Sequence, residues 1–174
     1  MCIRDRIVST VSLLYPLLTL NIVDAVMRFT MDKDVDKKQV AYIGIRYVGI
    51  SVLVIAMGLI PCHFLRIFES IHGLEIMILL YYVSYVMNQY FIQLAKGLEK
   101  VSSMAVAGII GTVVMLGGNI LFLLVFHWQL KGFMLANILA QAIPALYFFI
   151  KLHFLRFIKD MKLDKGLGKE MLQY

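Results

Sequence analysis

Residues 104–126 read MAVAGIIGTVVMLGGNILFLLVF, with no charged side chain from Met104 to Phe126. A helix needs about 20 mostly apolar residues to cross the hydrocarbon of a bilayer. This stretch supplies them, and the rest of the chain points the same way. Of 174 residues, 61% are hydrophobic and 16% are charged, with a mean hydropathy of +0.83. Soluble domains run at about 45–50% apolar and about 25% charged. The solvent that fits this composition is lipid.

Working outward, four more stretches reach spanning length: Ile7–Met27, Val40–Ile60, Ile76–Ala95 and Gly132–Ile150. None alternates at period two as a barrel strand would, and Leu, Ile, Met and Val fill them continuously. The predicted fold is all-α, a polytopic membrane bundle of five transmembrane helices over residues 7–157. A basic cytoplasmic linker follows over 158–174.

The loops differ in charge. Arg28, Lys33, Lys37 and Lys38 follow the first span, Lys96 and Lys100 the third, and Lys151, Arg156, Lys159, Lys162, Lys165 and Lys169 the fifth. That side holds twelve cations, whereas Arg66 and Lys131 alone occupy the other. Lys and Arg mark the cytoplasmic side, and Asp32, Asp34 and Asp36 weigh little in that rule. The C-terminus is therefore expected in the cytoplasm and, with five spans, Ile7 outside. Arg4 and Arg6 oppose an outside start. The opening MCIRDR resembles translated adapter sequence at the edge of a fragmentary gene, so residues 1–6 are expected to be non-native and an earlier helix to be missing.

The net charge of +6 does not point to nucleic acid, because the cations sit between apolar runs and not on a soluble basic face. Cys2 and Cys62 form no disulfide or zinc pattern. His63, His72, His127 and His153 are scattered, most of them near helix ends. There is no GxxxxGK[ST], HExxH or GxSxG motif, so neither an enzyme nor a cofactor site is expected.

Polar groups inside the spans are the sharpest functional signal, since a charge in hydrocarbon costs about 2.5–3.5 kcal/mol on insertion scales. Arg46 lies about two turns into the second span, with Tyr42 one turn before it and Gly49 near the same face. It either snorkels to the headgroups or lines a hydrated cavity and meets an anionic substrate. Asp24 precedes Arg28 by four residues and can pair with it, and Asn21 is placed on the same face. In the third span Tyr81, Ser84, Tyr85 and Asn88 share one arc, and Tyr82, Gln89 and Gln93 the next. Such a face belongs against protein or water, and a solvated substrate path is the reading preferred over dry helix packing. Ser103, Ala107 and Gly111 allow close helix approach, and Gly117-Gly118 allows a bend. Asn137, Gln141 and Pro144 share a face of the fifth span, where Pro144 is expected to kink the helix.

The order of these features resembles the oligosaccharide flippases of the multidrug/oligosaccharidyl-lipid/polysaccharide exporter superfamily. The matching pieces are Asp24-Ala-Val-Met-Arg28-Phe29, Gln93-Leu-Ala-Lys-Gly97-Leu-Glu-Lys100, Gly117-Gly-Asn119-Ile-Leu-Phe-Leu-Leu, Lys131-Gly132-Phe-Met-Leu-Ala-Asn137 and Lys169-Glu-Met-Leu-Gln-Tyr174. The resemblance implies family helices two to six, most of a six-helix lobe whose second lobe is absent. It implies alternating access in the cytoplasmic membrane, a polyprenyl-pyrophosphate-linked glycan as substrate, and cavity cations that attract the anionic head. Arg46 is the first choice for that role and Arg28 the second, with Asp24, Tyr85, Asn88, Gln89, Asn137 and Gln141 as further cavity residues. Two other readings remain: a drug/cation antiporter of the same superfamily, for which Asp24 is the one acidic candidate, and a non-transporting membrane scaffold.

Overall fold

The computed structural model describes residues 3–32, 35–65, 74–152 and 154. Lys33, Asp34, Arg66, His72, His153 and the basic tail over 155–174 lie outside them, as do the side chains of Cys62 and His63. Every element among the described residues is a helix: α1 Ile3–Leu18, α2 Ile22–Met31, α3 Lys37–Leu65, α4 Glu75–Gly97, α5 Val101–Asn119, a π-helical segment Ile120–Val125, and α6 Gln129–Lys151.

Three stretches are long and apolar enough to cross a membrane: Lys37–Leu59, Val101–Val125 and Gln129–Lys151. A fourth qualifies if α1 and α2, bent by 59°, count as one span. α4 has 23 residues but is not among them, because its tyrosines, Asn88, Gln89 and Gln93 dilute its apolar content. The count of five is thus not reached on length and composition.

The first predicted span is broken, not continuous. Leu20 and Asn21 take left-handed conformations (φ 49° and 56°), and the end of α1 is sealed by backbone bonds. The Leu20 N–H donates to the Leu17 carbonyl, and the Asn21 N–H donates to the Pro16 carbonyl. This is the Schellman closure, normally built on glycine. The apolar runs on either side keep the average hydropathy high across Thr19-Leu20-Asn21, which is why an apolar count misses the break. Asn21 consequently leaves the face of Asp24. It precedes α2, and its carbonyl accepts the N–H groups of Asp24 and Ala25. At the other end α1 begins at Ile3, four residues before the predicted start.

The bundle has an apolar core, as an aqueous protein does, but its outer surface is apolar as well. Leu13, Leu17, Leu53, Met57, Ile109, Val113, Leu124 and Leu146 are exposed, whereas Thr19, Thr30, Ser51, Asn88 and Asn137 are buried. Apolar surface on this scale belongs in lipid. α4 is the hub, packed against α2, α3 and α6. Small residues set the distances between helices. A Cβ on Gly44 of α3 would come within 2.5 Å of Val26 and 2.8 Å of Tyr90. One on Gly97 would come within 2.5 Å of Thr30 and 2.9 Å of the Met27 carbonyl. α5 meets α6 through Gly111, against Ala140 and Pro144, and Gly118, against Ala136. Gly111 therefore serves packing, as the sequence predicts, Ala107 is buried, and Gly118, expected to allow a bend, packs as well.

Candidate functional site

The polar arcs of α4 meet polar groups from three other helices. Asn88, only 8% exposed, donates through Nδ2 to Gln141 Oε1 of α6 at 2.6 Å. One and a half turns on, Gln93 Nε2 donates to Asp24 Oδ1 of α2. Toward the other end of α4, the Tyr85 ring meets Tyr15 of α1 edge-on at 5.6 Å and Tyr81 at 6.1 Å. The Tyr15 hydroxyl is within electrostatic reach of Asp24, Tyr82 and Tyr85. A polar seam thus follows α4 from α1 and α2 on one side to α6 on the other.

The seam is not saturated from within the protein. Asn88 Oδ1 and Gln93 Oε1 are buried and accept no hydrogen bond among the described residues. A buried acceptor without a donor costs about 1–3 kcal/mol, so both atoms call for a donor from water or a ligand. Tyr85, Gln89 and Gln93, four residues apart, form a partly exposed edge beside them.

The predicted site residues divide into those on the seam and those off it. Asp24, Tyr85, Asn88 and Gln141 are on it. Gln89 lies on its open edge. Arg28 is one turn beyond Asp24 on α2 and exposed. Asn137 is buried, but its Nδ2 donates to the Phe133 carbonyl of its own helix at 2.9 Å, so its donor is spent locally. Pro144 packs at Gly111, and α6 continues through it to Lys151.

Arg46 stands apart. Gly44 points at Val26 and Tyr90, and at about 100° per residue Arg46 lies about 200° round α3 from it. It is exposed on the face of Gly49, Ile50, Leu53 and Met57, turned away from α2 and α4. Charge spacing alone could not find this; the face of α3 is set by the Gly44 approach.

Two seam residues escaped the sequence reading. Tyr15 sits beside Asp24 only because of the α1–α2 bend. Ser51 of α3 is buried, its hydroxyl donating to the Val48 carbonyl at 2.8 Å, and the buried Tyr82 hydroxyl has no hydrogen-bond partner among the described residues. Among the described residues no three His, Cys, Asp or Glu side chains gather as a metal site would require. No protein-family model, curated protein or solved structure matches this chain.

Proposed function

We propose that the chain forms most of one lobe of a membrane transporter that flips lipid-linked oligosaccharide or polysaccharide precursors by alternating access across the cytoplasmic membrane. On this reading α4 also crosses, giving five spans, with the C-terminus in the cytoplasm and the second lobe facing the open edge of α4. The observation that carries the reading is the unsaturated seam. Asn88 Oδ1 and Gln93 Oε1 offer acceptors without donors among the described residues, between helices whose outer faces are largely apolar. Sugar hydroxyls are donors of the required kind. The pyrophosphate head falls to Arg28, the cation next to Asp24, and no longer to Arg46, whose face is turned from the seam.

A drug/cation antiporter is the second reading. Asp24 favours it: the carboxylate lies just past the break of the α1–α2 pair, in the first turn of α2, rather than at the end of a span.

The test is translocation of a lipid-linked oligosaccharide in liposomes by the full-length gene product. Arg28→Gln and Asn88→Leu are expected to lose transport while inserting normally, and Arg46→Gln to retain it. Export of an organic cation abolished by Asp24→Asn, with no glycan translocation, would instead select the antiporter. A dry seam, read as no thiol labelling of Ser84→Cys or Gln89→Cys, would select the scaffold.

A further inference from the structure

The outward face of α3 carries an observation that the transport reading does not use. Lys38, Tyr42, Arg46, Gly49, Leu53 and Met57 fall within about 100° of one another around the helix. Lys38 and Arg46 are exposed, Leu53 is 63% and Met57 69% exposed, and a Cβ on Gly49 would meet nothing within 4 Å. Along the axis the face is ordered. Cations and an aromatic ring occupy its first turns, a glycine notch follows, and an aliphatic strip runs on from there. The nearest carboxylate in sequence, Asp36, accepts the Lys38 backbone N–H through Oδ1 at 3.0 Å.

The lengths set the height of this face in the bilayer. α3 has 29 residues, about 43 Å at 1.5 Å per residue, which matches a bilayer with its headgroups, about 40–45 Å. The apolar stretch runs from Lys37 to Leu59, so Lys38 stands among the headgroups. Arg46, about 12 Å along the axis from Lys38, directs its guanidinium back toward that end, as helical side chains tilt and long cations snorkel, and Met57 lies about 17 Å deeper than Arg46. Half a hydrocarbon core is about 15 Å.

We propose that this face of α3 is a binding site for one anionic phospholipid of the leaflet that borders the Lys38 end. Its phosphate is held between Lys38 and Arg46 beside the Tyr42 ring, and one acyl chain lies over Gly49 against Leu53 and Met57. Charge complementarity selects the headgroup. The length of the strip, one leaflet deep, selects an ordinary acyl chain over a polyprenyl tail. The site is separate from the seam and holds whether or not the chain transports glycans.

The experiment is native mass spectrometry of the detergent-purified chain titrated with dioleoyl phosphatidylglycerol or dioleoyl phosphatidylcholine. Phosphatidylglycerol is expected to bind about thirty-fold more tightly, since each cation near the surface contributes about five-fold. Arg46→Gln should remove about five-fold of that preference, and Lys38→Gln with Arg46→Gln all of it. Leu53→Asn should weaken both lipids alike, and Lys131→Gln, on the opposite loop, neither. Circular dichroism should match the wild type throughout, because the altered side chains project from the surface. Equal binding of the two lipids, or a preference that survives the double substitution, would overturn the site. So would its displacement by inorganic phosphate at millimolar concentration, which would mark a headgroup site with no lipid chain. Stronger binding of undecaprenyl pyrophosphate than of phosphatidylglycerol would overturn the choice of occupant.

Discussion

At the scale of single residues, two helix ends rest on a conformation their side chains disfavour. Leu20 closes α1, and Glu99 closes α4 with φ 57°, its N–H donating to the Lys96 carbonyl while that of Lys100 donates to the Ala95 carbonyl. A left-handed residue with a Cβ costs roughly 1–2 kcal/mol, and glycine avoids it. Both side chains are exposed, so little packing is lost on truncation. Leu20→Gly and Glu99→Gly are each expected to stabilise the protein by about 0.5–1 kcal/mol after the entropic penalty of glycine, seen as a rise in the thermal midpoint in detergent. Gly97, although it lies in the same turn, does different work. It admits Thr30, whose hydroxyl donates to the Val26 carbonyl at 2.5 Å. Gly97→Ala and Gly44→Ala should each destabilise by about 1–3 kcal/mol through overpacking. Gly49→Ala, with open space around it, should be neutral or gain up to about 1 kcal/mol of helix propensity. A midpoint for Gly97→Ala equal to the wild type would refute the tight α2–α4 approach.

At the scale of elements, α4 is held to its neighbours by few but directed polar links inside an aromatic and aliphatic packing. Tyr90 is fully buried and donates to the Ala41 carbonyl of α3 at 2.6 Å, and Phe91 packs against Phe148 and Phe154. Tyr90→Phe leaves the ring and removes one hydrogen bond, so about 1 kcal/mol should be lost. The Asn88–Gln141 pair is better measured by a double-mutant cycle to Leu and Met, where a coupling near 0.6 kcal/mol is expected for a hydrogen bond between membrane helices. A coupling of zero would mean that each amide bonds elsewhere in solution. Helix content was legible in the sequence because apolar runs announce themselves, and the four continuous runs sit within a few residues of α3, α4, α5 with its π segment, and α6. The break at Leu20–Asn21 was not, since no glycine marks it and the side chains on both sides stay apolar. For the site, the periodicity of α4 placed Tyr85, Asn88 and Gln93 on a protein-facing surface. Arg46 stays open in the sequence between the headgroups and a cavity, because a charge in an apolar run says nothing about which face of its helix is covered.

At the scale of the whole molecule, the question is how a helix too polar to count as a span comes to lie at the centre of the bundle. An apolar count assumes that a helix is surrounded by lipid. α4 is surrounded by α2, α3 and α6 instead, and its buried set includes Tyr81, Tyr82, Asn88 and Tyr90. Its polar side chains meet protein or the seam, so the transfer penalty that hydropathy measures does not apply to them. α5 is the opposite case: Ala107 is its one buried residue, and its composition is correspondingly apolar all round. If α4 crosses, the turn before α3 and the turn after α4 lie on one side of the membrane. If it does not, they lie on opposite sides. Single cysteines at Asp36, Glu99 and His127, each exposed, in a chain with Cys2 and Cys62 changed to Ser, read this directly with an impermeant maleimide on whole cells and on inverted vesicles. Asp36→Cys and Glu99→Cys are expected to label only in inverted vesicles, and His127→Cys only on whole cells, where it flanks the stacked Phe122 and Trp128 rings typical of a membrane interface. Labelling of Asp36→Cys and Glu99→Cys from opposite sides would remove α4 from the spans and with it the five-helix lobe. The same side for both, but outside, would keep the lobe and reverse its orientation, which twelve cations against two argue against.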